Sequence, residues 1–267
     1  MKQISILGCG WLGLPLAKSL LEKGFLVKGS TTSFGKVSVL ENNGIKAFQI
    51  ELSETGIKGE IDLFLRNSEI LIIDIPPKLR SVSSESFVKK IEKLIPFIEQ
   101  SKIEKIIFIS STSVYTDNNS VITETTQTEP VTESGKQLVE TEKLLQSNAN
   151  FKITVIRFGG LIGDDRHPIH FLAGRKHIEN PEASINLIHQ TDCIGIIEKI
   201  IELDSWNETF NAVAPFHPTR KEYYTQKAKE LGLTLPQFNE QKASIGKTFL
   251  SDKVQNVLNY KFQNTAL

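Results

Sequence analysis

The feature that most constrains this chain is a glycine-rich turn between an apolar run and an amphipathic segment. The apolar run covers residues 3–7, and the turn reads Gly8-Cys9-Gly10-Trp11-Leu12-Gly13. Leucines then recur at helical spacing until Lys23-Gly24, where a cation and a glycine are typical of a helix end. The order strand, Gly-x-Gly-x-x-Gly, helix is the context in which this motif indicates dinucleotide binding.

Each glycine of the turn is expected to have its own physical task. Gly8 allows the tight turn off the strand, Gly10 lets a pyrophosphate approach the backbone, and Gly13 lets helix and strand pack closely. The N–H groups and partial positive charge of the helix N-terminus suit a phosphate. The alternative is a glycine-rich turn that binds nothing. We predict a dinucleotide site that includes Gly8, Gly10, Trp11, Leu12 and Gly13.

Composition excludes several classes of function. The 267 residues are 39% hydrophobic and 23% charged, which is ordinary for a soluble globular protein. Basic and acidic residues both number 31, so no charge excess points to nucleic acid or an anionic membrane. Cys9 and Cys193 form no spacing motif, the histidines show no metal-ligand spacing, and no apolar run approaches a membrane span. We expect a cytoplasmic protein without a metal.

The residues after the second predicted strand, 25–29, are expected to meet the adenosine ribose of the dinucleotide. An acidic residue there favours NAD, whereas a basic residue favours the 2′-phosphate of NADP. The segment 30–33 carries hydroxyls and no acid, and a lysine follows it. We therefore predict NADP, with a polar loop that accepts NAD as the alternative. The residues that would hold the cofactor here are Thr31, Thr32, Ser33 and Lys36.

Strands and helices alternate through the first 160 residues. An apolar run at 70–75 is typical of a strand buried on both faces, and it ends at Pro76-Pro77. Pro76 would border the cofactor crevice. Further strands are predicted at 105–109 and 153–158, with helices before each. This alternation predicts an α/β fold, a Rossmann-like doubly wound parallel sheet in residues 1–160.

The order of elements changes after residue 160. Short strands are predicted at 185–189 and 209–213, and helices at 191–201 and 219–231. Thr191 and Asp192 are expected to cap the first of these helices, and Thr219 the second. The pieces are too few for a second independent core. We predict that residues 161–267 form a small C-terminal α/β lobe that is interleaved with the first domain and covers a substrate.

Polar side chains follow the strand predicted at 105–109. The sequence there is Ser110-Ser111-Thr112-Ser113-Val114-Tyr115. In a parallel sheet of this kind, substrates bind at the carboxyl end of a central strand. The candidate catalytic residues are therefore Ser111, Thr112 and Tyr115.

Together these motifs resemble the extended short-chain dehydrogenase/reductase superfamily, specifically its NAD(P)-dependent sugar-nucleotide epimerase/dehydratase-like proteins. More specifically, they resemble an atypical bacterial branch of these proteins. The resemblance implies a nicotinamide cofactor, a small polar substrate, with sugar nucleotides among the candidates, and a homodimer. The matching stretches, in the order of the chain, are the glycine-rich turn, 110–115, Glu124 with Pro130, Gly135, Glu142, 157–163, 186–189 with Asp192, and 210–213.

The same resemblance implies a catalytic Ser or Thr, a Tyr, and a Lys four residues after the Tyr. The Ser/Thr position falls on Ser111, with Thr112 beside it, but the Tyr position falls on Ser134 and the Lys position on Leu138. A serine hydroxyl has no accessible pKa near neutrality, and a leucine supplies no charge.

Two functions therefore stay open. One is an NADP-dependent oxidoreductase or epimerase-like enzyme with a relocated acid/base, for which Tyr115 is the tyrosine near the expected site. The other is a protein that retains the dinucleotide and lacks chemistry, as a redox sensor or assembly partner. The missing Tyr–Lys pair favours the second function, whereas the retained serines and C-terminal lobe favour the first.

Overall fold

The computed structural model describes residues 2–79 and 85–264. Within these ranges the strands are β1 (Gln3–Leu7), β2 (Leu26–Thr31), β3 (Lys46–Gln49), β4 (Glu51–Leu52), β5 (Ile57–Lys58), β6 (Ile70–Ile73), β7 (Lys105–Ser111), β8 (Val121–Ile122), β9 (Lys152–Phe158), β10 (Gly160–Ile162), β11 (Leu187–His189), β12 (Thr209–Ala212) and β13 (Thr248–Phe249). The α-helices are α1 (Gly13–Glu22), α2 (Val37–Asn42), α3 (Ile61–Leu65), α4 (Phe87–Glu99), α5 (Glu133–Gln146), α6 (Ile169–Leu172), α7 (Gln190–Glu202), α8 (Arg220–Glu230) and α9 (Asp252–Leu258). Short 3₁₀ turns cover Phe34–Lys36 and Thr112–Val114.

Seven of these strands form one parallel sheet in the order β12-β9-β7-β6-β1-β2-β3. The chain builds outward from β1 through β2 to β3, then returns to the other side of β1 and builds outward again. The direction of building reverses between β1 and β6. Ligands bind outside the carboxyl ends of the strands at such a switch point. The predicted Rossmann-like sheet is confirmed.

Helices cover both faces of the sheet. One apolar layer joins the sheet to α1, α7 and α9, and the other joins it to α3, α4 and α5. Because both faces are covered, all four residues of β6 are buried, as expected for its continuous apolar sequence. Of the described helices, none is long and apolar enough to cross a membrane.

The residues after 160 contribute to both the sheet and the surface above it. The strand β12, which we predicted within the C-terminal lobe, instead pairs with β9 at the edge of the central sheet. A small apolar cluster joins α6 and α8 to β10 and β11. The two-stranded pairs β10–β11 and β8–β13 lie outside the central sheet.

The start of α7 differs from the prediction. His189 is the N-cap, and its ring Nδ1 accepts a hydrogen bond from the Thr191 N–H at 3.3 Å. Asp192 is buried and accepts hydrogen bonds from the Tyr260 hydroxyl at 2.9 Å and from the Gln263 N–H at 2.8 Å. The predicted cap was wrong because the C-terminal segment, which is distant in sequence, takes the carboxylate. The predicted Thr219 cap of α8 is confirmed, as part of a capping box with Glu222.

Candidate functional site

The glycine turn, residues 8–13, connects β1 to α1 at the switch point of the sheet. Gly8 has a φ of +108°, and a Cβ there would lie 2.3 Å from the Asp74 carbonyl oxygen. A Cβ on Gly13 would lie 2.2 Å from the Gly8 carbonyl oxygen, whereas a Cβ on Gly10 would meet nothing within 4 Å. The protein's own packing therefore requires Gly8 and Gly13. Gly10 faces open space that a ligand can fill.

The N-terminus of α1 leaves two backbone donors beside that space. The helix has no side-chain cap, and the Gly13 N–H donates to the Asp74 carboxyl group. In the part of the chain that the structure describes, the N–H groups of Trp11 and Leu12 have no hydrogen-bond partner. Unpartnered donors at a helix N-terminus suit a pyrophosphate, so the glycine turn fits a dinucleotide.

Asp74 lies on the other side of the switch point, directly after β6. Burial raises the pKa of its carboxyl group to about 8, and the hydrogen bond from the Gly13 N–H opposes that rise. At neutral pH the carboxyl group is therefore mostly protonated. It can hold the glycine turn without repelling a phosphate anion above it.

The predicted adenosine site lies at the end of β2. Thr31 is the last residue of the strand, and its buried side chain accepts a hydrogen bond from the Ser33 N–H at 3.1 Å. Thr31 therefore shapes the turn from within. Thr32, Ser33 and Lys36 are exposed and available to a ligand, and Phe34 between them is 80% exposed.

The serine cluster, residues 110–113, begins where β7 extends beyond β6. Ile73 is the last residue of β6 and pairs with Phe108, so Ser110 and Ser111 project past it and pair only with β9. Ser111 and Thr112 are partly exposed, and the Ser111 hydroxyl accepts a hydrogen bond from a backbone N–H at 3.1 Å. Both hydroxyl protons remain available to a substrate oxygen. Pro76, which follows β6, is exposed at the same edge.

Tyr115 turns from this edge into the interior. Its hydroxyl receives a hydrogen bond from Arg157 and donates to Asn211 Oδ1 at 3.1 Å. The residue is only 3% exposed, and burial raises the pKa of its hydroxyl, an effect that the Arg157 charge opposes. A hydroxyl committed in this way has no proton to give to a substrate in the crevice. The structure therefore places the Tyr115 hydroxyl in a buried hydrogen-bond network, and its role as an acid stays a prediction.

Tyr115 belongs to a buried network beneath the serine cluster. Arg157 Nε donates to Glu142 Oε1 at 3.1 Å, and Arg157 Nη2 donates to Glu142 Oε2 at 2.5 Å. The Ser110 hydroxyl also donates to Glu142, at 2.5 Å. Within the described residues, Asn211 Nδ2 is the buried side-chain atom that lacks a partner. The network joins β7, β9 and β12 to α5. Sequence spacing could not reveal it, because its five members are scattered over about a hundred residues.

The first turns of α5 carry Ser134 and Leu138, the residues that the resemblance predicts at the tyrosine and lysine positions. Leu138 is 4% exposed and packs in the apolar core, and Ser134 is partly buried. A Cβ on Gly135 would lie 2.5 Å from the Ser113 carbonyl oxygen, so α5 begins in direct contact with the serine cluster. Ser111 and Thr112 can orient a substrate oxygen, but neither residue titrates near neutrality.

The Trp11 side chain joins the glycine turn to the C-terminal part of the chain. Its indole N–H donates to Asp165 Oδ1 at 2.8 Å, across the crevice. No group of three or more His, Cys, Asp or Glu side chains that could hold a metal gathers in residues 2–79 and 85–264. The site therefore combines an anion-binding turn with an uncharged polar cluster.

Comparisons with known proteins agree with this geometry. No protein-family model matches the chain. Protein YeeZ of Escherichia coli K12 is 35% identical over 265 residues, which cover 98% of this chain and 96% of that protein. The solved structure of UDP-glucuronic acid 4-epimerase from Bacillus cereus in complex with NAD superposes with a TM-score of 0.82 at 17% identity, over 98% of this chain and 92% of that one. UDP-N-acetylglucosamine 4-epimerase from Bacillus cereus gives 0.76 at 16% identity, over 98% and 94%.

Proposed function

The chain belongs to the family of Escherichia coli Protein YeeZ and has the fold of the extended short-chain dehydrogenases/reductases, and we propose that it binds a nicotinamide dinucleotide in the glycine turn. The observation that carries this proposal is the open space over Gly10, bordered by the unpartnered N–H groups of Trp11 and Leu12. The protonated Asp74 beneath the turn supports this proposal, because a neutral carboxyl group does not repel the phosphate anion. A related fold in the Bacillus cereus epimerase holds NAD.

Within that class we propose NADP in preference to NAD. Thr32, Ser33 and Lys36 are exposed after β2, where a dinucleotide places its adenosine ribose. Lys36 supplies a cation for a 2′-phosphate, and the hydroxyls of Thr32 and Ser33 supply donors. The segment has no carboxylate that would bind the ribose hydroxyls of NAD and repel a phosphate. The buried, unpaired Cys9 and Cys193 suit a reducing cytoplasm.

The reaction we propose is hydride exchange with a small polar substrate, and sugar nucleotides are the first class to test. The bound nicotinamide would supply the hydride chemistry. Ser111 and Thr112 would hold the substrate oxygen, and Pro76 would border the cofactor. Hydride transfer to a carbonyl also consumes a proton, and the reverse reaction releases one. Since Leu138 is buried and Ser134 does not titrate near neutrality, solvent water at the partly exposed Ser111 and Thr112 would supply or take up that proton.

A second candidate function is a dinucleotide-dependent sensor or assembly partner without turnover. The observation that favours it is that residues near the expected catalytic site are engaged in packing and buried hydrogen bonds. Leu138 packs in the core, and Tyr115 is held by Arg157 and Asn211. Such a protein would keep the cofactor geometry and need no acid.

The experiment is a titration of cofactor-stripped protein with NADPH, NADH, NADP and NAD, followed by nicotinamide fluorescence and thermal shift. Binding to the folded state must raise the melting temperature. Gly10→Ala should melt like the parent without ligand, since its Cβ meets nothing, but should bind NADPH at least about tenfold more weakly. Failure of all four cofactors to bind would overturn both candidate functions.

Turnover separates the two candidates. A panel of sugar nucleotides is incubated with the loaded protein, and the nicotinamide absorbance is followed. Ser111→Ala with Thr112→Val should abolish any turnover and leave the NADPH dissociation constant unchanged. Cofactor binding without hydride exchange on any member of the panel would favour the sensor.

A further inference from the structure

Arg166 lies over the side-chain ring of Trp11, a residue of the glycine turn, and its guanidinium group has no polar partner among the described residues. Its guanidinium carbon is 4.9 Å from the centre of the Trp11 ring, and the side chain is exposed. Among the described residues, this guanidinium group makes no hydrogen bond or ion pair, and its recorded contact is with the Trp11 ring. A cation stacked on an aromatic face keeps all its N–H donors available.

The aromatic ring beneath Arg166 is held in place, because Trp11 makes three contacts with other parts of the chain. The indole N–H donates to Asp165 Oδ1 at 2.8 Å, and the Trp11 carbonyl oxygen accepts from Gln190 Nε2 at 2.7 Å. A Cβ on Gly163 would lie 2.8 Å from the indole ring, so the ring packs directly on that glycine. The aromatic platform is therefore fixed to both parts of the chain.

The segment that carries Arg166 is itself closed on its ends. The Gly163 N–H donates to the Arg166 carbonyl oxygen at 2.9 Å, and the Arg166 N–H donates to the Gly163 carbonyl oxygen at 3.0 Å. Asp164 and Asp165 form the tip between them. Neither carboxylate pairs with the Arg166 guanidinium: Asp165 accepts the Trp11 indole N–H, and Asp164 lies 3.7 Å from His189.

The N-termini of α1 and α7 add positive electrostatic potential beside Trp11. Gln190 of α7 bonds to Trp11 before α1, and Glu198 of α7 bonds to Ser19 of α1, with both pairs 179 residues apart. The constant separation means that α7 runs beside α1 in the same direction. The N-termini of both helices, each with a partial positive charge, therefore flank Trp11.

We propose that Arg166 is a ligand of the dinucleotide pyrophosphate. Its guanidinium group would contact the pyrophosphate on the side opposite the backbone of the glycine turn. The inference rests on the proposed dinucleotide site and adds a residue from the C-terminal part of the chain to it. The pyrophosphate would lie between the backbone N–H groups of Trp11 and Leu12 and the Arg166 guanidinium. The planar guanidinium group can donate two parallel hydrogen bonds to a pair of phosphate oxygens. The negative charge of the pyrophosphate would then be stabilised by both the backbone N–H groups and the arginine.

The test compares Arg166→Ala with Arg175→Ala, which removes the same charge from an exposed position in the same segment without touching Trp11. The probes are NADPH and adenosine 2′-monophosphate, which lacks a pyrophosphate. Arg166→Ala should weaken NADPH binding by about tenfold or more and leave the adenosine monophosphate unchanged. Arg175→Ala should leave both dissociation constants unchanged.

Fluorescence gives a second measurement that does not depend on turnover. The chain has two tryptophans, and the second, Trp206, donates its indole N–H to Asp204. In a Trp206→Phe background, NADPH should quench Trp11, and Arg166→Ala should shift the quenching curve to higher NADPH concentration. Parent protein that binds no nicotinamide dinucleotide overturns the proposed function. Parent protein that binds NADPH, with Arg166→Ala binding it equally well, overturns only the role of Arg166.

Discussion

The glycine turn and the serine cluster lie at the same edge of the same sheet, yet they differ in what they retain of the family pattern. In the glycine turn, the sterically required residues Gly8 and Gly13 and the open position Gly10 are all present. Beside the serine cluster, the positions predicted to hold a tyrosine and a lysine are occupied by Ser134 and the buried Leu138.

The difference teaches that anion binding and proton transfer depend on different parts of a protein. The glycine turn acts through backbone N–H groups and space, which the local fold itself creates. Proton transfer needs one particular side chain with a suitable pKa, and the sheet folds equally well without it. Beneath the serine cluster, Glu142, Arg157 and Tyr115 hydrogen-bond to one another in the interior, and we expect this network to contribute to stability.

If the network beneath the serine cluster is structural, removing its carboxylate should have the largest effect on stability. Glu142→Leu leaves the Arg157 charge buried without a partner and should lower the free energy of unfolding by about 3–5 kcal/mol. The double variant with Arg157→Met should recover most of the loss, as measured by urea unfolding. Glu240→Gln, in an exposed ion pair with Lys221, should leave the urea midpoint at the parent value, because solvent screens the pair. A small effect of Glu142→Leu would contradict this role of the network.

Gly13→Ala tests the steric side of the glycine turn. The added Cβ would lie 2.2 Å from the Gly8 carbonyl oxygen, and backbone cannot yield as a flexible side chain can. We expect a loss of about 2–3 kcal/mol in the free energy of unfolding, without any ligand present. Gly10→Ala is the matched control, with unchanged stability and weaker cofactor binding. Equal melting temperatures for the two variants would show that both glycines face open space.

Tyr115→Phe sharpens the distinction between structure and chemistry. The variant leaves Asn211 Oδ1 and one Arg157 N–H unpaired in the interior, which should lower stability by about 1–2 kcal/mol. The NADPH dissociation constant, and any turnover measured below the new melting temperature, should stay at the parent level. Lost turnover with unchanged stability would restore Tyr115 as the acid.

Lys36→Ala should have the smallest effect of the four, because Lys36 is exposed and its charge is screened. We expect NADPH binding to weaken by about two- to fivefold, and less at high salt. NADH binding should not change, since NADH lacks the 2′-phosphate. Lys18→Ala, which removes an exposed lysine from α1, is the control. An equal change for NADPH and NADH would argue against NADP selectivity at this position.

The glycine turn was predictable because its information is local. Gly8, Gly10 and Gly13 are separated by a few residues, and the strand and helix around them have clear apolar periodicity. The fold class followed from the alternation of such elements, since short connections and right-handed crossovers leave few arrangements of the sheet.

Other features depend on contacts that no spacing records. The strand β12 has the same short apolar pattern whether it lies in a lobe or at the edge of the sheet. The sequence predicts Thr191 and Asp192 as a helix cap. In the structure the Asp192 carboxylate instead accepts hydrogen bonds from the C-terminal segment. The placement of Arg166 over Trp11, more than 150 residues away, belongs to the same class.

By itself, the sequence determined the Rossmann-like sheet and the glycine turn, and it placed Ser134 and Leu138 where the resemblance predicts a tyrosine and a lysine. These properties depend on residue identity at short range. Only the tertiary structure decided that Tyr115 points inward to Arg157 and that Arg166 lies over the Trp11 ring. The physical reason is that the direction of a side chain and its charge partners are set by packing between distant segments, which a linear pattern does not encode.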